Sequence, residues 1–167
     1  MSRKCLQKPD AVMESAADHA TAAAEGSRPP RVLVVDDERL TRWSVVETLA
    51  DQGYEVAEAS DAVSAIDAFR GCSSDADVVL LDLWLPDSND LHVLSAIQRR
   101  SPSTPVILMT AYGSPELSEA ARRLGAFAVV DKPFEMDALG PLVGRAIGSA
   151  GRWRTTPHDA PRRGGQL

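Results

Sequence analysis

Four short apolar runs in this 167-residue chain each end in residues that can do chemistry. Val32–Val35 is followed by Asp36-Asp37-Glu38, and Val78–Leu81 by Asp82. Val106–Met109 leads to Thr110, and Phe127–Val130 to Asp131-Lys132-Pro133. If the runs are neighbouring parallel strands, these groups gather at one edge, because open parallel sheets bind ligands beyond the carboxyl ends of their strands. Carboxylates converging there repel one another, and at least one has its pKa raised. A divalent cation relieves the repulsion, and Mg²⁺, small and hard, prefers carboxylate oxygens while keeping waters. A phosphoryl group can complete its shell. Lys132 can neutralise the transferring oxygens from the other side, and the Thr110 hydroxyl can donate a hydrogen bond to one of them. An aspartate in such a pocket can act as a nucleophile and form an acyl phosphate.

The elements that must hold these groups alternate regularly from Arg31 onward. The runs at Val32–Val35 and Val78–Leu81 are wholly apolar, as expected of strands covered on both faces. Tyr54 to Ala59 alternates polar and apolar, which predicts a less buried edge strand. Between the strands lie helical stripes. The first is Leu40, Trp43, Val46, Leu49 and Ala50, stopped by Gly53; the second is Ala62, Ala65, Ile66 and Phe69 after Asp61. The third is Leu91, Leu94 and Ile97, closed by Ser101-Pro102, and the fourth Leu117, Ala120, Ala121 and Leu124, ended by Gly125. Met136, Leu139, Val143, Ala146 and Ile147 predict a fifth helix, which Pro141 is expected to kink or split. Five strand–helix units in succession mean a parallel sheet with helices on both faces.

Outside this stretch the composition changes. Residues 1–30 are rich in alanine and mixed charge, and residues 150–167 carry Gly, Pro and Arg with few apolar side chains. Both are expected to be flexible tails around a domain at 31–149, with no room for a folded output domain. The net charge of −6 argues against a whole-surface grip on nucleic acid or anionic lipid. Cys5 and Cys72 belong to no metal-spaced cluster, and no long apolar run or secretory signal is present. A cytoplasmic protein is the expectation. His19, His92 and His158 share no spacing that would make a metal set, and the tail arginines Arg152, Arg154, Arg162 and Arg163 read as a solvated end.

The segments VLVVDDE (32–38), VVLLDLWLPD (78–87), VILMTAYG (106–113) and VVDKPF (129–134) resemble the receiver domains of two-component response regulators. The wording DERLTRWSVVETLADQGYEV and MTAYGSPEL is similar to receivers of NtrC-type regulators. The resemblance implies a flavodoxin-like, doubly wound five-stranded parallel sheet of order 2-1-3-4-5 with five helices. It implies Asp82 as phosphoacceptor, Asp37 as a direct Mg²⁺ ligand, Asp36 as holder of metal-bound water, and the backbone carbonyl of Trp84 as third protein ligand. It further implies Thr110 as the switch hydroxyl, Lys132 as the phosphate-pairing lysine, and a cis bond before Pro133. The phosphodonor would be a histidine kinase or a histidine phosphotransfer protein. The output would run through a downstream protein or onward phosphotransfer, without direct contact to nucleic acid or membrane.

Three departures from the family pattern stand out. Three positions before Lys132, where the family carries the tyrosine or phenylalanine that swings inward on activation, this chain has Val129, which predicts weak coupling between Asp82 and the outer face. Where the family commonly has glycine after the acceptor, this chain has Asp90, a residue able to reach the left-handed region. Two bulky rings, Trp84 and Tyr112, flank the pocket and are expected to shield an acyl phosphate from water.

The same residues bear on other functions. A haloacid-dehalogenase-like phosphatase also forms an aspartyl phosphate but needs a second aspartate two residues after the nucleophile, where this chain has Trp84. A constitutive adaptor, or a truncated remnant of an NtrC-type transcriptional regulator, would have no need of the complete set Asp36, Asp37, Asp82, Thr110 and Lys132. The expected protein is a phosphoacceptor switch and not an enzyme acting on a separate substrate.

Overall fold

A computed structural model describes residues 28–69, 76–88 and 90–154, with side chains followed as far as Ala150. In chain order the elements are β1 (Arg31–Val35), α1 (Arg39–Asp51), β2 (Glu55–Ala59), α2 (Ala62–Asp67), β3 (Val78–Asp82), α3 (His92–Arg100), β4 (Val106–Thr110), α4 (Pro115–Arg123), β5 (Ala126–Asp131) and α5 (Met136–Arg154). The strands form one parallel sheet of order β2-β1-β3-β4-β5, the expected one. β3 and β4 are buried along their whole length, whereas the edge strand β2 buries only Ala59.

Strand alternation sorts the apolar side chains into two layers. Leu33 and Val35 face one side, with Val79, Leu81 and Leu108, and pack against Ala65, Phe69, Leu94, Ile97 and Ala121 of the segments from α2 to α4. Val32 and Val34 face the other, with Leu80, Ile107 and Met109, against Val45 and Leu49 of α1 and Leu139, Val143 and Ala146 of α5. β1, β3 and β4 are thus clamped from both faces, which fixes where their last residues emerge.

Local chemistry sets the ends of the elements. Asp61 caps α2 by accepting the Ser64 N–H at 2.7 Å. Ser114 caps α4 by accepting the Leu117 N–H at 3.1 Å, with Pro115 opening the helix. After α1 and α4 the chain reverses through Gly53 and Gly125, at φ of 88° and 96°, a region that favours glycine.

Three expectations need correction. The buried residues of α1 are Val45 and Leu49, while Leu40 and Trp43 are 74% and 59% exposed. Steps of three residues fall about 60° short of a full turn, so Leu40, Trp43, Val46 and Leu49 drift around roughly half the helix and cannot share a face. Next, α5 continues through Pro141 to Arg154, past the expected boundary at residue 149. The N–H that Pro141 lacks would have bonded the carbonyl of the exposed Asp137 in the first turn. The loss therefore falls near the helix end, while buried Leu139, Val143, Ala146 and Ala150 hold the rest to the sheet. Finally, Asp90 does not use the left-handed region, since no non-glycine residue described has positive φ. Its carboxylate accepts the His92 N–H at 2.8 Å, so it starts α3 in an ordinary conformation. Of the tails expected at 1–30 and 150–167, residues 1–27 and 155–167 lie outside the described residues.

Candidate functional site

The carboxyl ends of β1, β3, β4 and β5 deliver Asp36, Asp82, Thr110 and Asp131-Lys132 to one edge of the sheet, as the spacing predicts. Asp36 is fully buried, as is Thr110, and Asp82 is 6% exposed. Such burial of ionisable groups needs compensation, and Lys132 supplies it. Its Nζ donates to Asp36 Oδ2 at 2.7 Å and to Asp82 Oδ2 at 2.6 Å. The lysine is held in turn by its backbone N–H, which donates to the Thr110 carbonyl at 2.7 Å. The Lys132–Pro133 peptide is cis.

The remaining carboxylate oxygens are aimed by backbone amides. Asp36 Oδ1 accepts the Glu38 N–H at 2.8 Å, and Asp82 Oδ1 accepts the Trp84 N–H at 3.1 Å. Asp37 completes an acidic cluster: one carboxylate oxygen from each of Asp36, Asp37 and Asp82 lies within 4.8 Å of the others. Asp37 is exposed, so the cluster has an open side. Three carboxylates against one ammonium leave net negative charge at that opening. The donor set is all oxygen, which fits a hard divalent cation such as Mg²⁺.

The titration behaviour follows from these contacts. Burial pushes the Asp36 carboxyl above its ordinary 3.8; the bonds from Lys132 and the Glu38 amide oppose this, and the Asp82 charge adds to it. Burial pulls the Lys132 ammonium down, but its hydrogen bonds to Asp36 and Asp82 outweigh burial and hold it above 10.5.

The other residues singled out from sequence make contacts of their own. The Thr110 Oγ accepts the Tyr112 N–H at 3.2 Å and keeps its own proton to donate. Trp84 and Tyr112, 45% and 78% exposed, meet edge to face with ring centroids 6.5 Å apart. They border a groove of about 570 Å³ that also takes in Leu83, Leu91, Leu117 and Leu124. Val129 is half-buried against the layer formed by α2 to α4.

Two residues with a part in shaping the site were not found by sequence reasoning. Asp87 accepts the Ala62 and Val63 N–H groups at 2.8 and 3.1 Å, tying the loop after β3 to the start of α2. Arg42 donates to the Asp36 carbonyl at 2.5 Å and to Glu58 Oε2 at 3.1 Å. No local pattern marks either, because their partners come from elsewhere in the fold.

The shared lysine yields a stability prediction for metal-free protein. Lys132→Met leaves Asp36 and Asp82 without their cation and should lower unfolding free energy at neutral pH by roughly 2 kcal/mol, discounted from a fully buried pair because the lysine is partly solvated. A raised lysine pKa stabilises the fold below 10.5, and that contribution is lost as pH rises through the folded-state value. Urea denaturation in chelator should therefore show the gap between wild type and Lys132→Met shrinking above pH 10.5; a gap that stays constant or widens would contradict the pairing.

Comparison with known proteins supplies the family. The response regulator receiver domain matches residues 32–143. Among curated relatives, the regulatory protein AtoC of Escherichia coli K12 is 38% identical over 117 residues, covering 70% of this chain and 25% of AtoC. The transcriptional regulatory protein PdtaR of Mycobacterium tuberculosis H37Rv is 33% identical over 128 residues, covering 76% of this chain and 61% of PdtaR. The chain thus spans a quarter of one relative and under two thirds of the other. Among solved structures, the receiver domain of NtrX from Brucella abortus is 36% identical with a TM-score of 0.64, covering 71% of this chain and 98% of that one. A CheY-like receiver domain protein from Methanospirillum hungatei JF-1 is 26% identical with a TM-score of 0.70, covering 75% and 98%. With its acidic pocket at the carboxyl edge of a 2-1-3-4-5 sheet, the chain belongs to the response regulator receiver domain family of two-component systems.

Proposed function

We propose that this receiver takes a phosphoryl group on Asp82 in a Mg²⁺-dependent reaction, from a histidine kinase or a histidine phosphotransfer protein, and signals through protein contacts or onward phosphotransfer. The observation that carries the reading is the Lys132 ammonium within 2.7 Å of both Asp36 and Asp82, beside an exposed Asp37. Receiver domains take phosphate from histidine kinases and bind Mg²⁺ at an acidic pocket. A cytoplasmic setting fits this donor, and no described helix is long and apolar enough to cross a membrane.

Asp37, Asp82 and the Trp84 carbonyl would hold Mg²⁺, with Asp36 holding water of its shell. Bound there, the ion supplies positive charge to the transferring oxygens. An Asp82 carboxylate oxygen attacks the phosphorus. The bond from phosphorus to the donor breaks, and its electron pair leaves with the donor. Asp82 accepts the Trp84 N–H through Oδ1 and the Lys132 ammonium through Oδ2, so both oxygens are oriented before the donor arrives. Lys132 then pairs with a phosphoryl oxygen, and Thr110 donates its hydroxyl proton in a hydrogen bond to another.

Two finer features belong to the same proposal. The Trp84 and Tyr112 rings shield the acyl phosphate from water. Val129, an aliphatic side chain, cannot make the inward aromatic swing of the family, so phosphorylation of Asp82 couples weakly to the outer face.

Incubation with acetyl phosphate and Mg²⁺ should give a phosphoryl adduct by intact mass, and Asp82→Ala or a chelator should abolish it; an adduct that survives Asp82→Ala would overturn the assignment. Replacing Trp84 or Tyr112 with serine should speed phosphate release, and unchanged rates would remove the shielding role. Amide spectra of the free protein and its beryllofluoride complex should differ mainly around the pocket, whereas large shifts across α4 and α5 would refute weak coupling.

A further inference from the structure

Arg42 enters the first helix one turn beyond the acidic pair, and its side chain is only 16% exposed. Its guanidinium is bound at two points. Nη1 donates to the main-chain carbonyl of Asp36 at 2.5 Å, and Nε donates to Glu58 Oε2 at 3.1 Å. Glu58 stands on β2 opposite Val34 of β1, so the arginine joins the edge strand to the turn that leaves the central one. The carbonyl it holds belongs to the peptide linking Asp36 to Asp37. That peptide is planar, so fixing its oxygen fixes the direction in which the chain enters Asp37.

The same turn has two further tethers. The Asp36 N–H donates to the Ala59 carbonyl at 3.2 Å, and Asp36 Oδ1 accepts the Glu38 N–H at 2.8 Å. Asp37 lies between these tethers with an exposed side chain, so its backbone is what aims its carboxylate.

We infer that Arg42 is a positioning residue for the divalent-cation site, holding the Asp36–Asp37 peptide so that the Asp37 carboxylate faces Asp36 and Asp82. The inference rests on the Mg²⁺ reading proposed above. Groups behind the ligands commonly set metal affinity by orienting them. A rigid planar fork suits this double attachment, and the point charge of a lysine does not.

The sign of the effect separates positioning from charge. A guanidinium near a cation site repels the cation, so removing only its charge would tighten binding. Removing a brace weakens it. Mg²⁺ titration of the full chain, followed by amide shifts, should show saturable changes at Asp37 and its neighbours in wild type. Arg42→Gln should raise the dissociation constant about tenfold, and Arg42→Lys should fall between the two. Shifts of the β3 and β4 amides in metal-free spectra check that the fold is kept. Arg42→Gln binding as tightly as wild type, or more tightly, would overturn the positioning role. If Arg42→Gln fails to fold, Arg42→Lys decides: an affinity equal to wild type overturns the role. Loss of binding confined to the variants leaves the site reading intact, whereas a wild type that shows no saturable change would overturn both.

Discussion

One ammonium group shared by two buried carboxylates organises this end of the protein. Lys132 reaches Asp36 and Asp82 from β5, across the width of the sheet from β1. Burying charged carboxylates is costly, and the shared ammonium offsets that cost. Yet one positive charge cannot balance three carboxylates, and Asp37 leaves the excess facing outward. The pocket therefore keeps an excess of negative charge, which under the proposed function a divalent cation would balance while a phosphoryl group would give Lys132 a new partner.

The fold exists to hold these groups in register. Two apolar layers clamp β1, β3 and β4, so their last residues emerge side by side with little freedom. Pairing of Asp82 with Met109 and of Thr110 with Asp131 carries that alignment from strand to strand. The loops beyond are tied back individually, by Asp87 to α2, by Arg42 to the turn after β1, and by the Thr110 hydroxyl to the Tyr112 amide. Core packing sets the position of each acid, and hydrogen bonds in the loops set its direction.

What could be read from sequence follows the same division. The apolar runs ending in Asp36, Asp82, Thr110 and Asp131-Lys132 were legible because central parallel strands have a simple pattern and expose only their ends. Strand order was legible through family resemblance and not through the pattern itself. The face of α1 was misread, since apolar residues three apart look like a stripe on paper and drift around a helix in space; Leu40 and Trp43 are exposed as a result. Pro141 misled because its cost depends on how near it lies to the helix start, which the boundary at Met136 determines. Arg42 and Asp87 were invisible because their meaning lies in partners brought by the fold, a carbonyl in the turn after β1 and the amides of a distant helix start.

The most direct test of the account is a crystal structure of the protein grown with Mg²⁺ and beryllofluoride. The account predicts beryllium bonded to an Asp82 carboxylate oxygen, a cation held by Asp37, Asp82 and the Trp84 carbonyl, and the Lys132 Nζ in contact with a fluoride. A well-ordered crystal in which Lys132 still bridges Asp36 and Asp82, with neither ion nor fluoride beside them, would contradict it.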